Sequence, residues 1–177
     1  MKWIEIFAII VFLLFCTTAC VSFRSTKDEN PLQTVSHVDL NRYIGKWYEI
    51  ARYPHRFQQG CVDSFATYDL RDDGKISVVN ECHDDSSGKI RQARGKAWIV
   101  DKETNARLRV SFFWPFSGDY WIIDLGDNYE YAVVGHPTRK YLWILSRTIK
   151  MEDNVYREIL KRLELHGYDI TKLLKNS

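Results

Sequence analysis

Apolar and polar positions alternate in short runs from residue 46 to residue 148, and a turn signal ends each run. Runs of this length, rich in Trp, Tyr, Phe, Val and Ile, predict strands with one buried face. They fall at 47–52, 62–70, 75–81, 90–100, 107–113, 120–125, 129–134 and 141–148. Asp72-Asp73-Gly74 joins the second and third runs as a hairpin, because glycine supplies the positive φ that a tight turn needs. Trp114-Pro115-Phe116-Ser117-Gly118 breaks the chain before the sixth run. Successive strands with short connections predict an all-β fold, an eight-stranded antiparallel meander closed into an up-and-down β-barrel. Closure removes the unpaired edges, and a barrel of about eight strands leaves room for a small ligand.

The period then changes. Val155, Tyr156, Ile159, Leu160 and Leu163 recur at helical spacing. They predict one C-terminal α-helix packed by that stripe on the outside of the barrel, with Gly167 as its C′ residue and a weak N-cap at Glu152 or Asp153. Residues 168–174 predict a short ninth strand.

The start of the chain follows neither period. Ile6 to Phe15 is an unbroken apolar run, preceded by Lys2 and followed by Thr17-Thr18-Ala19. It is shorter than the roughly 20 residues that span a bilayer, and it reads as a signal peptide over 1–19. Ala19 precedes Cys20, the pattern of a bacterial lipoprotein signal, so Cys20 is the expected site of lipidation. Thr17 departs from that pattern, which has Leu three residues before the cysteine. Simple secretion is the alternative. More than one acyl chain on Cys20 would anchor the protein stably. Val21 in place of Asp gives no inner-membrane retention signal, which points to the outer membrane. Residues 20–36 read as a lipidated tether, and 37–177 as the barrel domain.

Export leaves Cys61 and Cys82, an even pair in an oxidising compartment. The hairpin at Asp73-Gly74 places Cys82 opposite about residue 65, so Cys61 lies roughly 13 Å away along the strand. Disulfide Cα atoms must come within about 7 Å. A bulge or fold-back before Val62 would close that gap, and with both cysteines at the same mouth of the hairpin in an oxidising compartment, a Cys61–Cys82 disulfide is expected.

The 177 residues carry a net charge of +2 and no basic stripe, which argues against nucleic acid as a partner. Six Trp, ten Tyr and nine Phe are a large aromatic complement for one domain, and suggest strands, an apolar cavity or both. The sequence has no nucleophile motif, nucleotide loop or metal-ligand cluster, and its five His stand singly, so no metal or cofactor is expected.

Gly45-Lys46-Trp47 at the start of the first strand resembles the first signature of the lipocalins, and Trp143-Ile144-Leu145-Ser146-Arg147-Thr148 resembles their closing signature. Trp47-Tyr48-Glu49-Ile50-Ala51-Arg52, the Ala66–Gly74 stretch and Val110-Ser111-Phe112-Phe113 are similar to bacterial, apolipoprotein D-like lipocalins. The resemblance implies a calyx whose closed end is plugged by Trp47, with Arg147 across its ring, a structural role shared by Gly45. It implies a calyx lined by Tyr68, Asn80, Phe112, Tyr120 and Trp143. It also implies binding, storage or transport of a fatty acid or lysophospholipid, with the protein lipid-anchored at the outer membrane and facing the periplasm. Parity agrees for the fifth strand, where Leu108, Val110 and Phe112 share one face and Arg107, Arg109 and Ser111 the other. Two other readings remain: a lipocalin-fold enzyme acting on lipids, for which Glu49 is the one candidate acid or base, and a structural envelope lipoprotein with a filled barrel. The direction of Glu49 is open at this stage.

Overall fold

The structure is a computed structural model and is described for residues 30–176. The expected signal peptide, Cys20 and the tether up to residue 29 lie outside the described residues. From Pro31 the chain already packs on the barrel: Leu32 is buried, and the Val35 amide donates to the Ile122 carbonyl at 3.0 Å.

A helix α1 (Leu40–Tyr43) leads into β1 (Gly45–Arg52), β2 (Cys61–Leu70), β3 (Ile76–Asp84), β4 (Ile90–Ile99), β5 (Arg107–Phe113), β6 (Phe116–Leu125), β7 (Tyr131–Gly135) and β8 (Leu142–Ser146). Each pairs antiparallel with the next, and β8 pairs with β1, which closes the barrel. Helix α2 (Asp153–Leu165) and a two-residue β9 (Leu174–Lys175) follow. β1 pairs with β2 only over Gly45–Tyr48; its far half, Ala51 and Arg52, pairs with β9.

Closure gives every strand two destinations for its side chains. One set forms the interior core: Trp47, Tyr68, Ile76, Val78, Leu108, Ile122, Val134 and Leu145. The other forms an outer core beneath α2, where Ile159 and Leu163 meet Ile50, Ile123, Val133 and Ile144. Full burial of an Ile or Leu stabilises by about 1.5–3 kcal/mol, so these two side chains hold the helix down. α2 ends at Gly167, whose φ of +78° suits a residue without Cβ, and its N-cap Glu152 makes no side-chain bond.

Two sequence expectations shift, and a third, the Cys61–Cys82 pairing through a bulge, is met. β6 begins at Phe116 rather than 120, because Phe113 pairs with Phe116 and leaves Pro115 in a loop that needs no amide donor. Residues 170–172 form a 3-10 turn, since the Asp169 side chain accepts from the Thr171 amide and bends the chain, so the ninth strand shrinks to Leu174–Lys175. The β2–β3 hairpin carries a register shift between Val62 and Phe65, with Asp63 at φ +48°. That extra residue draws Cys61 to 5.5 Å (Cα–Cα) from Cys82, and the two form a disulfide.

Candidate functional site

β1 starts at the end closed by α1 and runs toward the opposite end, here called the mouth. The connections 53–60, 85–89, 114–115 and 136–141 all lie at the mouth, because the strands alternate in direction. The closed end is built around Trp47, which is fully buried and donates from Nε1 to the Tyr43 carbonyl at 2.8 Å. The Arg147 guanidinium stands 3.8 Å from the Trp47 ring centre. It also donates to the carbonyls of Arg42 (2.6 Å), Tyr43 (3.1 Å) and Lys46 (2.9 Å). Gly45 has φ +96°, and a Cβ there would stand 3.3 Å from an Arg147 nitrogen, so both backbone and space favour glycine.

Above this floor three tyrosines meet inside the barrel. The Tyr120 hydroxyl lies 2.8 Å from that of Tyr43 and 3.0 Å from that of Tyr68. They come from α1, β2 and β6, so the contact ties the plug to two distant walls. Burial raises all three hydroxyl pKa values. Tyr68 is pushed up to about 12, with the nearby Glu49 charge adding to the effect. Asn80 faces Ala66 across the β2–β3 pair and shares the face of Ile76 and Val78. Phe112 packs against the interior core beside Gly95, where an added Cβ would stand 2.8 Å from its ring.

Toward the mouth the wall becomes aromatic and polar. Trp143 stacks on Tyr141 with centroids 6.0 Å apart, meets the His55 ring edge-on at 5.2 Å, and donates from Nε1 to Gln58 Oε1 at 3.0 Å. Glu49 lies opposite interior Leu145 and is therefore inward. Its carboxylate accepts from Arg52 (3.1 Å), Gln58 (2.7 Å) and Asn176 (3.1 Å). Burial raises the Glu49 pKa, against the opposing pull of Gln58, Arg52 and Asn176. Burial also lowers the His55 pKa, and the Arg52 charge adds to it.

The structure thus places Tyr68, Phe112, Tyr120 and Trp143 in or against one interior core, with Asn80 on the same face. Sequence reasoning missed Tyr43, His55, Gln58, Tyr141 and Asn176. Tyr141 follows from the parity of Trp143. Gln58 and Asn176 carry no local signal, because each reaches the site from a turn or from the chain end. No group of three or more His, Cys, Asp or Glu suited to a metal occurs among the described residues.

A closed eight-stranded antiparallel barrel, plugged by an Arg-covered Trp and flanked by one long helix, has the architecture of a lipocalin. The lipocalin-like domain family matches residues 38–177, and the chain belongs to that family. It is 42% identical to the outer membrane lipoprotein Blc of Escherichia coli K12 over 160 residues, covering 90% of this chain and 89% of that one. It is 41% identical to temperature-induced lipocalin-1 of Arabidopsis thaliana over 157 residues, covering 84% and 83%. It is 32% identical to apolipoprotein D of Macaca fascicularis over 170 residues, covering 90% and 87%. Among solved structures, insecticyanin from Manduca sexta superposes with a TM-score of 0.67 at 25% identity, covering 82% of this chain and 84% of that one.

Proposed function

We propose that the protein binds, stores or carries a lipophilic ligand, a fatty acid or lysophospholipid, inside its barrel at the outer membrane. The observation that carries this reading is a gradient of burial along the interior. Toward the closed end Trp47, Tyr68, Ile76, Val78, Leu108 and Ile122 are sealed, whereas toward the mouth Asn80, Phe112, Tyr120 and Trp143 keep part of their surface accessible. An acyl chain seated against these side chains leaves water, worth about 25 cal/mol per Å² of apolar area. Asn80 and the tyrosine hydroxyls supply a few polar contacts, and the head group stays near the mouth. Several relatives carry the name outer membrane lipoprotein, which supports the same location, with acylated Cys20 as the anchor and the barrel on the periplasmic side.

Binding is favoured over lipid chemistry because Glu49 is committed to Arg52, Gln58 and Asn176 and has no nucleophile to activate among these partners. Native mass spectrometry of the extracted protein tests the reading. Bound acyl lipid is the expected result, together with acyl mass on the mature chain that Cys20→Ser abolishes. Trp143→Ala should weaken displacement of a fluorescent fatty acid by long-chain lipids. Failure of the parent protein to take up any long-chain lipid would remove the proposal and favour a structural envelope role.

A further inference from the structure

The mouth is unusual in what it leaves in water. Phe57 is 77% exposed, Ile90 67%, Phe113 78%, Trp114 84% and Phe116 76%. They come from three separate loops and strand ends, and all five stand at the mouth. The β5–β6 hairpin concentrates three of them: Phe113 pairs with Phe116, and Trp114 forms the tip. At the plugged end the exposed large apolar residues among those described are Leu70 at the end of β2 and Val100 and Ile149 in two separate connections, none of them aromatic.

Charge is polarised along the same axis. The mouth loops 53–60, 85–89, 114–115 and 136–141 carry four cations, Arg56, Lys89, Arg139 and Lys140, against one acid, Asp85. Two acids in the adjoining strands are already engaged: Asp84 lies 3.7 Å from Arg91, and Asp63 lies 3.6 Å from His83. The loops at the plugged end (71–75, 100–106, 126–130 and 147–152) carry seven acids against five cations.

We infer that the mouth docks on an anionic lipid surface, with Phe113, Trp114 and Phe116 entering the interface and Phe57 and Ile90 beside them. Exposed apolar side chains gathered within a polar rim mark an interaction site. Trp suits the membrane interface, because its apolar ring and N–H meet both sides of the boundary. Cations beside the apolar tips are drawn to anionic head groups, an attraction that falls off within a Debye length of the surface. A second copy fits less well, since two mouths face to face would oppose their cations. The docking does not rest on ligand binding in the barrel; it concerns the outer rim, and lipid vesicles without added ligand are the probe.

The full chain is mixed with phosphatidylcholine vesicles, with or without phosphatidylglycerol, that contain phospholipids brominated on the acyl chain. Tryptophan quenching is read for the parent and for Trp114→Phe, so that the difference isolates Trp114 whatever the anchor does. We expect Trp114 to be quenched in vesicles with phosphatidylglycerol, with several-fold less quenching in phosphatidylcholine alone or at 0.5 M salt. Phe57→Ser/Phe116→Ser should remove most of that signal without changing the melting temperature, whereas Ile149→Ser should leave it intact. Trp114 left unquenched on vesicle-associated protein would overturn the inference. So would quenching that ignores lipid charge. A dimer in solution that Trp114→Ser dissolves, with no quenching, would assign the rim to a second copy instead.

Discussion

The Arg147 guanidinium lies 3.8 Å from the centre of the Trp47 ring while it donates to three backbone carbonyls of α1 and the start of β1. One side chain from the segment after β8 thus fastens the plug to the strand that opens the barrel. A cation–π contact contributes about 0.5–2 kcal/mol, and each hydrogen bond about 0.5–1.5 kcal/mol net. Arg147→Ala should therefore lower stability by about 2–3 kcal/mol, a fall of about 5–10 °C in Tm for a domain of this size. Arg147→Lys should be intermediate, because it keeps the charge but not the planar fork. Thermal denaturation followed by circular dichroism checks both; an unchanged midpoint for Arg147→Ala would refute the assignment.

Cys61 and Cys82 are separated by 21 positions and bridge β2 to β3 at the mouth. Closing a loop of this length removes denatured-state entropy worth about 3 kcal/mol. The double change Cys61→Ser/Cys82→Ser should lower stability by about that amount. Opening should concentrate near Asp63, where the ladder is already shifted, and leave the Leu70–Ile76 end of the hairpin protected. Hydrogen exchange of the two strands separates local fraying from global loss. Intact-mass analysis without reductant should count no free thiol at either position.

The Tyr43–Tyr120–Tyr68 hydroxyl chain makes the barrel sensitive to alkali. All three pKa values are raised by burial, so the folded state favours the neutral phenols. Their stabilisation is fully present below the ordinary tyrosine pKa near 10, and it is lost as pH rises from there toward the folded values. Unfolding should therefore release about one and a half protons per chain from these groups at pH 10, rising to nearly three near pH 11. Tyr120→Phe takes the central hydroxyl away and leaves two buried hydroxyls short of a partner, which costs about 1–3 kcal/mol at neutral pH. The same variant should show a shallower alkaline loss. Ultraviolet titration of the phenolates, run beside thermal melts, reads both effects.

Local pattern made most of this barrel legible. Short apolar runs between turn signals located the strands, and parity placed Leu108, Val110 and Phe112 inward, because both are properties of neighbouring residues. What sequence could not carry was contact between distant parts. Nothing near Asn176 announces that its amide reaches Glu49, and nothing near Gln58 announces that it bridges Glu49 to Trp143. Glu49 was undecided for a related reason. β1 is covered on both faces, by the interior on one side and by the α2-side outer core on the other, so burial alone gives its positions no alternation. Trp114-Pro115 looked like an interruption because proline lacks a ladder donor, but a two-residue loop has no ladder to break.

His55 links the mouth to pH on the acid side. Its ring packs against Trp143 and Tyr141, and burial followed by the Arg52 charge lowers its pKa from 6.5, with Gln58 opposing. The pKa values of His136 and His166 are lowered as well, first by burial. A histidine held neutral in the fold binds a proton more readily when unfolded, so stability falls as pH drops through 6.5 toward the folded values and is fully present above 6.5. Glu49 acts in the opposite sense: its raised pKa makes protonation favour the fold as pH falls toward 4.5. The net loss should therefore be steepest just below pH 6.5 and flatten on further acidification. His55→Phe keeps a ring against Trp143 but removes one titrating group, so its melting temperature should fall less than the parent's between pH 7.5 and 5.5. The remaining slope belongs to His136 and His166, and adding His136→Gln should reduce it again. A parent protein whose midpoint stays level across this interval would show that burial at these three rings does not govern acid stability.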